Sequence, residues 1–511
     1  MFFLYIHLYA IFSFVTAQDF MPSSSWKNPT ITLSQGDRVA IARDGIQQTI
    51  AALGNNGQFD DSFYGTPGRF YSQMAEYDLA TNQSTYKDQL LQYFAKAQVV
   101  QAGFLNELSI MDCEIKIRTY SIAATRAYAA YRDPAFLTFA EIAWGSGREY
   151  TLSDDNIRTG SIPGKNFTIE ENCERNSMAG GCFWRRDPTV PDLNGLSTGS
   201  FLVASALLAE ATPNDTYRDA AMQTATFLSD HFVNRADGLI QDTIDAHTCA
   251  PSQEIAHSYN SGLTIEGLAV LSSVTGDSRI TQLLHQLVLS TVTSKSWQDA
   301  DGIIKMDAAE LGGQYVVRGL AAIYNRNSTP SDLRTYIESY LAVQYNAVLN
   351  NAREPQSNVY GASWVGPPSP TFSSENQTNA LSVLIAGISL SNDTRASGGG
   401  GGEPTPSPAP TDHPSKGPNI GAIAGGVVGG FATIALIVAF VLFLIRRKAR
   451  NTSNFLEGSQ AQTDIAPPSR DDEPESHYRS TSAKGTDTVR NCARCSCNLC
   501  LFGHFRKSVY H

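Results

Sequence analysis

SYNSGLTIEGLAVLSSVTGDSRITQLLHQLVLS, residues 258–290, decides the fold. Its first half, GLTIEGLAVLSSV (262–274), is apolar nearly all round, as suits a helix buried on most sides. Its second half sets Ile280, Leu283, Leu284, Leu287 and Val288 at helical spacing, which gives one dry face and one wet face. A tight polar turn joins the two. Buried helix, short turn and amphipathic helix together make a helical hairpin.

Outward from this stretch the same unit recurs. AYAAYRDPAFLTFAE (127–141) and LLAEATPNDTYRDAA (207–221) each pass from an apolar helix through a polar turn into an amphipathic one, as AVLSSVTGDSRITQLL (269–284) does. In each, an apolar residue (Phe136, Tyr217, Ile280) follows a turn residue (Asp133, Asn214, Asp277) by three positions. FLVASALLAEA (201–211) repeats the all-round apolar pattern, and Tyr217, Ala220, Ala221, Thr224, Phe227 and Leu228 repeat the amphipathic stripe. Strand signals are few, and roughly eleven or twelve helical segments can be counted. Repeated hairpins predict an all-α ectodomain, either an inner and an outer ring or a solenoid, and six hairpins would close a ring.

The flanks predict a membrane protein. Residues 1–17 are almost wholly apolar and end in Val15-Thr16-Ala17, a small-residue cleavage site, so they read as a signal peptide. Residues 18–395 read as one domain and 396–419 as a Gly/Pro/Ser-rich stalk that cannot pack a core. The uncharged apolar run 420–445 is long enough to cross a bilayer, and Arg446, Arg447, Lys448 and Arg450 follow it. Basic residues stay inside, so the expectation is a single-pass type I plasma-membrane protein with tail 446–511 in the cytoplasm. Six sequons, at Asn82, Asn166, Asn214, Asn327, Asn376 and Asn392, all precede the span and fit a glycosylated exterior. The pairs Gly421/Gly425, Gly425/Gly429 and Gly426/Gly430 permit a homodimer through the span.

Composition excludes some functions. A formal charge of −11 gives no basic footprint for nucleic acid. Apolar residues at 42% and charged residues at 17% are ordinary for a large globular core. Cys113, Cys173, Cys182 and Cys249 precede the span and allow up to two disulfides, with three connectivities open. Cys492, Cys495, Cys497 and Cys500 lie in the tail, where zinc, S-acylation and exposed thiols compete; the short middle gap departs from common zinc modules. No cofactor and no metal is expected in the ectodomain.

Several segments carry a resemblance. FYGTPGRFYSQMAEYDLATNQSTYKDQL (63–90), GGCFW (180–184), NGLSTGSFLVASALLA (194–209), DGLIQDTID with Cys249, and SYNSGLTIEGLAVL (258–271) follow one another in an order and spacing similar to glycoside hydrolase family 76, α-1,6-mannanases with an (α/α)6 barrel. Fungal cell-wall members resemble the chain most. The resemblance implies a glycoside hydrolase or transglycosidase acting on α-1,6-mannan-type cell-wall polysaccharide.

The family's chemistry lies in two adjacent aspartates at the start of an inner helix. A retaining glycosidase needs one carboxylate as nucleophile and one as acid/base, roughly 5 Å apart. The helix matching that position reads MDCEIKIRTYSIAATRAYAAY (111–131), and alignment on its Ala-Ala sets Ile115-Lys116 where the pair would stand. Asp112 and Glu114, within one turn upstream, are the catalytic carboxylates this predicts; the competing expectation is that they cap the helix and oppose its dipole. Of the Asp-Asp pairs elsewhere, Asp60-Asp61 precedes the first hairpin, Asp471-Asp472 is in the tail, and Asp154-Asp155 reads as turn chemistry. Trp184 is expected either to stack on a sugar ring or to pack after a Gly-Gly turn. Asn194, Asp242, Tyr259 and Asn260 match family positions that line the cleft, or else satisfy helix ends as buried polar groups. His247 and His257 read as structural. A second function class, a catalytically inactive glycan-binding or wall-sensing membrane protein, follows from the missing pair together with the anchor and tail.

Overall fold

The computed structural model describes residues 20–100, 115–251, 256–305, 312–326 and 329–391. The signal segment, stalk, span, glycine pairs and cysteine-rich tail all fall outside these residues. No helix among the described residues is long and apolar enough to cross a membrane.

The described residues are all-α, with four short strands. Six helices form an inner set: α2 (Gly65–Thr81), α4 (Ile115–Tyr131), α7 (Gly195–Ala211), α9 (Ser258–Thr275), α11 (Gly313–Tyr324) and α13 (Ser374–Ile388). Each packs on the next, and α13 packs back on α2, so the ring is closed. An outer set alternates with them in the chain: α1 (Gln35–Ile50), α3 (Lys87–Val100), α5 (Pro134–Arg148), α8 (Asp215–Phe227), α10 (Ser278–Thr293) and α12 (Ser331–Ala347). Helix α1 leans on α13 and α2, α5 on α4 and α7, α8 on α7 and α9, and α12 on α11 and α13. The short α6 (Asp154–Thr159) and the strand pairs β1 (Asn172–Cys173) with β2 (Asn176–Ser177) and β3 (Asp192–Asn194) with β4 (Thr243–Asp245) sit between hairpins.

The repeated turn has a physical basis. Asp133, Asn214 and Asp277 are the N-caps of α5, α8 and α10, and each side chain accepts the backbone N–H two residues on. The apolar residue three positions later then faces the core: Phe136, Tyr217 and Ile280 are all buried. A cap satisfies one orphan donor of the helix start and is worth about 1 kcal/mol. The inner helices follow the all-round apolar pattern, with every residue from Ser197 to Leu208 and from Asn260 to Leu271 buried.

Inner helices also approach closely. A Cβ on Gly262 of α9 would lie 2.4 Å from the Tyr315 carbonyl carbon and the Val316 nitrogen of α11, and one on Gly319 would lie 2.6 Å from the Gly262 oxygen. Only glycine permits backbones at that distance. The ring is sealed between its ends by Arg69 of α2, whose Nη1 donates to Glu375 Oε1 at 2.8 Å and to Asn379 Oδ1 at 2.6 Å on α13. Arg38 of α1 likewise donates to the Leu390 carbonyl at 2.8 Å. Although burial works against its charge, Glu375 and Tyr315 hold the Arg69 guanidinium above its ordinary value.

One expectation is corrected and one is narrowed. Asp154-Asp155 is not a turn: it opens α6, with Ser153 and Asn156 forming a reciprocal capping box. Of the cysteines, Cys173 and Cys249 form one disulfide across 76 residues, while Cys182 is buried with Sγ 3.1 Å from Thr151 Oγ1. Cys113 lies outside the described residues, so the pairing rests on the fold bringing the β1 and β4 segments together, which spacing alone does not encode.

Candidate active site

Parallel inner helices give the barrel two unlike ends. Arg69, Thr119, Ser200, Leu263 and Tyr315, from the first halves of five inner helices, line one small cavity. Ala80, Ala129, Glu210, Ala322 and Ala386, from the last turns, line another of about 450 Å³. One end therefore gathers helix N-termini, whose free N–H groups and positive dipole ends favour anionic and hydroxyl-rich groups.

The site residues expected from the sequence converge at that end on Asp242. Asn260 Nδ2 donates to Asp242 Oδ1 at 2.9 Å, and the Tyr259 hydroxyl to the same oxygen at 3.3 Å. Asn194 Nδ2 and Thr243 Oγ1 donate to Oδ2 at 3.2 and 3.0 Å. Asn194 also caps α7, its Oδ1 accepting from the nitrogens of Leu196 and Ser197. The Gly195 nitrogen donates to the Asp242 carbonyl at 2.6 Å, so this one residue ties the starts of α7 and α9 to the β3–β4 ribbon. Asp242 is only 7% exposed and its oxygens are filled by four donors. Such a carboxylate holds the geometry of the site.

Trp184 lies apart from that hub, partly exposed, its nitrogen donating to the Asp192 carbonyl at 2.9 Å. His257 stacks on Tyr259 with ring centroids 4.8 Å apart, and His247 Nδ1 meets the Thr168 carbonyl at 2.7 Å. Asp112 and Glu114 lie outside the described residues. Helix α4 is described from Ile115 onward, so Ile115-Lys116 are its first described residues.

Below the N-terminal end runs a charge network that sequence reasoning did not anticipate. Arg126 of α4 pairs with Glu76 of α2 and Glu266 of α9, and Arg318 of α11 reaches Glu76 at 3.0 Å and Glu266 at 3.8 Å. Each partner comes from a different helix, so no local spacing marks them. Glu266 is 1% exposed. Burial, with Arg318 and Arg326 nearby, pulls Arg126 down to about 10 despite Glu76. Joining four inner helices through paired guanidinium and carboxylate groups, the network acts as a cross-brace of the barrel. Among the described residues no cluster of acidic, His and Cys side chains could hold a metal.

No curated protein matches the chain in sequence. Among solved structures, the α-1,6-mannanase GH76A of Salegentibacter sp. HEL1_6 is similar at TM-score 0.59 and 17% identity, over 70% of this chain and 100% of that one. An inactive variant of that enzyme in complex with α-1,6-mannotriose gives TM-score 0.58 at 17% identity over the same shares. Dfg5 from Chaetomium thermophilum, in complex with glucosamine, gives TM-score 0.53 at 15% identity, over 70% of this chain and 92% of that one. At these identities the likeness concerns the fold. The sequence pattern of glycosyl hydrolase family 76 matches residues 47–396, about two-thirds of the chain, and the protein therefore belongs to glycosyl hydrolase family 76.

Proposed function

We propose that the protein is a glycoside hydrolase or transglycosidase acting on α-1,6-mannan-type glycan, with an (α/α)6 barrel as its catalytic domain. The observation that carries this reading is the polar hub at the N-terminal end of the inner helices. Asn194, Tyr259 and Asn260 are locked on Asp242 there. Family membership supplies the reaction class, and the mannotriose bound by the Salegentibacter variant supplies the glycan. In this reading Asp112 and Glu114 bring carboxylates to the cleft and Trp184 offers an apolar face to a sugar ring. A signal peptide and the 420–445 span anchor the domain outside the plasma membrane, facing the wall.

One observation favours a second reading, a barrel that binds glycan without cleaving it: Ile115-Lys116 stand where the family's two adjacent aspartates would fall. Incubating the full chain with α-1,6-mannan oligosaccharides decides between them. Shortened or transferred products that vanish in Asp112→Asn or Glu114→Gln establish the enzyme. Binding by calorimetry without turnover at any pH from 4 to 8 establishes the receptor.

A further inference from the structure

The larger of the two cavities lies at the end of the barrel away from the polar hub, and the glycosidase reading does not use it. It opens among the last turns of the inner helices, where small side chains such as Ala322 and Ala386 leave about 450 Å³ that longer ones would fill. That volume is in the ordinary range for a small-molecule site. Four arginines, Arg126, Arg132, Arg318 and Arg326, line it against two glutamates, Glu76 and Glu210. Its inner wall is the cross-brace, since Glu76, Arg126 and Arg318 belong to both. Its lining contains no aromatic side chain and so offers no flat platform to a sugar ring.

The hydrogen bonds on this lining are unbalanced in one direction. Every buried side-chain atom there without a partner in the protein is a donor: Arg126 Nε, Arg318 Nη1 and Arg326 Nε. The acceptors are taken. Glu76 serves both Arg126 and Arg318, and Glu210 accepts from Arg326 Nη2 at 2.8 Å. Arg318 is only 8% exposed, so its free N–H is shielded from bulk water. Burial first, then Arg318 and Arg326, pull the Arg126 guanidinium down to about 10 against Glu76 and Glu210, which leaves positive charge here short of compensation. The carbonyl ends of the inner helices weigh the other way. Arg326 Nη1 answers one of them, the Ala322 carbonyl, at 2.7 Å.

We propose that this cavity is a second ligand site of the barrel and takes a small oxyanion, a phosphate or carboxylate group on a compact body, held by the guanidinium groups of Arg126, Arg318 and Arg326. An oxyanion brings acceptors, which is what free N–H groups on three planar forks call for. A slight turn of each guanidinium presents its free edge to the anion while the other edge keeps its glutamate. The alanine walls suit a short apolar body beside the charged group. The site is independent of the glycosidase reading, because it lies at the other end of the barrel and its occupancy is measured without turnover.

The test is calorimetry on the purified full chain, with inorganic phosphate and citrate as probes and chloride at matched ionic strength as the control. One site per chain is expected, saturating with a Kd below about 1 mM for at least one probe. Binding of phosphate alone supports a phosphate ligand, and binding of citrate alone a carboxylate one. Ala322→Leu fills the cavity without removing an arginine, and Arg326→Gln removes one fork while leaving the pairs of Arg126 and Arg318 in place. Each should weaken binding about 10-fold or more, with circular dichroism confirming the fold; two variants are used so that one that fails to fold leaves the other to decide. Phosphate stabilises many proteins by exclusion from their surface. The melting-temperature readout is therefore the saturable part of the rise, present in the wild type and absent from Ala322→Leu. Saturable binding of neither probe to the wild type overturns the proposal, and so does binding that the folded variants keep at full strength. If Ala322→Leu loses a neutral α-1,6-mannooligosaccharide and neither anion, the cavity is a glycan site and the anion assignment falls.

Discussion

Gly262→Ala and Gly145→Ala are the same chemical change in two helix interiors, and the structure gives them opposite signs. At Gly145, in outer helix α5, an added Cβ meets nothing within 4 Å. Alanine there restricts the unfolded chain and suits the helix, so Gly145→Ala should stabilise by about 0.5–1 kcal/mol. At Gly262 the added Cβ would lie 2.4 Å from two backbone atoms of α11, against an ordinary contact of 3.4 Å or more, so α9 and α11 must separate by about 1 Å. Backbone cannot swing aside as a side chain can. The overpacking cost is about 1–3 kcal/mol, and a gap opens along the rest of that interface. The helix-propensity gain offsets only about 1 kcal/mol of it. Because Tyr259 and Asn260 stand three and two residues before Gly262, within the same turn, the same movement should loosen their hold on Asp242 and weaken glycan binding. Urea unfolding followed by tryptophan fluorescence measures both variants, with calorimetry for glycan affinity. If Gly262→Ala is as stable as wild type, or Gly145→Ala less stable than it, the close approach of α9 and α11 is not what the glycine serves.

Three further outcomes follow from the packing and the charges. Arg126→Met should cost about 3–5 kcal/mol by stranding Glu266 in the barrel, and adding Glu266→Gln should recover much of that; a double-mutant cycle in urea with no coupling would refute the brace. Removing the Cys173–Cys249 bridge as Cys173→Ser should cost about 2–4 kcal/mol for a 76-residue loop, read as the same loss when the wild type is unfolded under reductant. Asp192 has its pKa raised in the folded state, so the native protein holds the extra proton: its contribution is intact below the unfolded value and is lost as pH rises through the folded one. Asp192→Asn should therefore raise the melting temperature relative to wild type at pH 7 more than at pH 4, and a pH-independent difference would contradict that assignment.

Much of the fold was legible because its signal is local. A three-residue step from cap to buried apolar residue recurs at Asp133, Asn214 and Asp277, and it marks three hairpins without knowledge of the rest. The hub was legible through resemblance, since Asn194, Asp242, Tyr259 and Asn260 fall in segments with a familiar order. What escaped was whatever depends on which surfaces meet. Glu76, Arg126, Glu266 and Arg318 come one each from four inner helices, and each looks like an ordinary charge in its own helix. Asp192 sits in a polar, proline-bearing stretch, and only the strand register reveals Trp184 and Asp245 beside it. Asp154-Asp155 does not read as a helix because six residues are too few to show periodicity; its local marks are the Ser153–Asn156 box and the left-handed Gly160 that ends it.

The closure of the ring by Arg69 on Glu375 and Asn379 has a consequence in time. These partners stand 306 and 310 positions apart in the chain. At about 5–20 residues per second, roughly 15–60 s of synthesis separate the appearance of α2 from that of the helix that covers it. Throughout that interval the Arg69 guanidinium and the apolar flank of α2 have no native neighbour on one side. The nascent barrel is an open arc whose two raw edges can find each other or a second chain. A premature stop anywhere before Ser374 leaves the arc unclosed for good, and such a product should be held by chaperones or degraded rather than released as a smaller working enzyme.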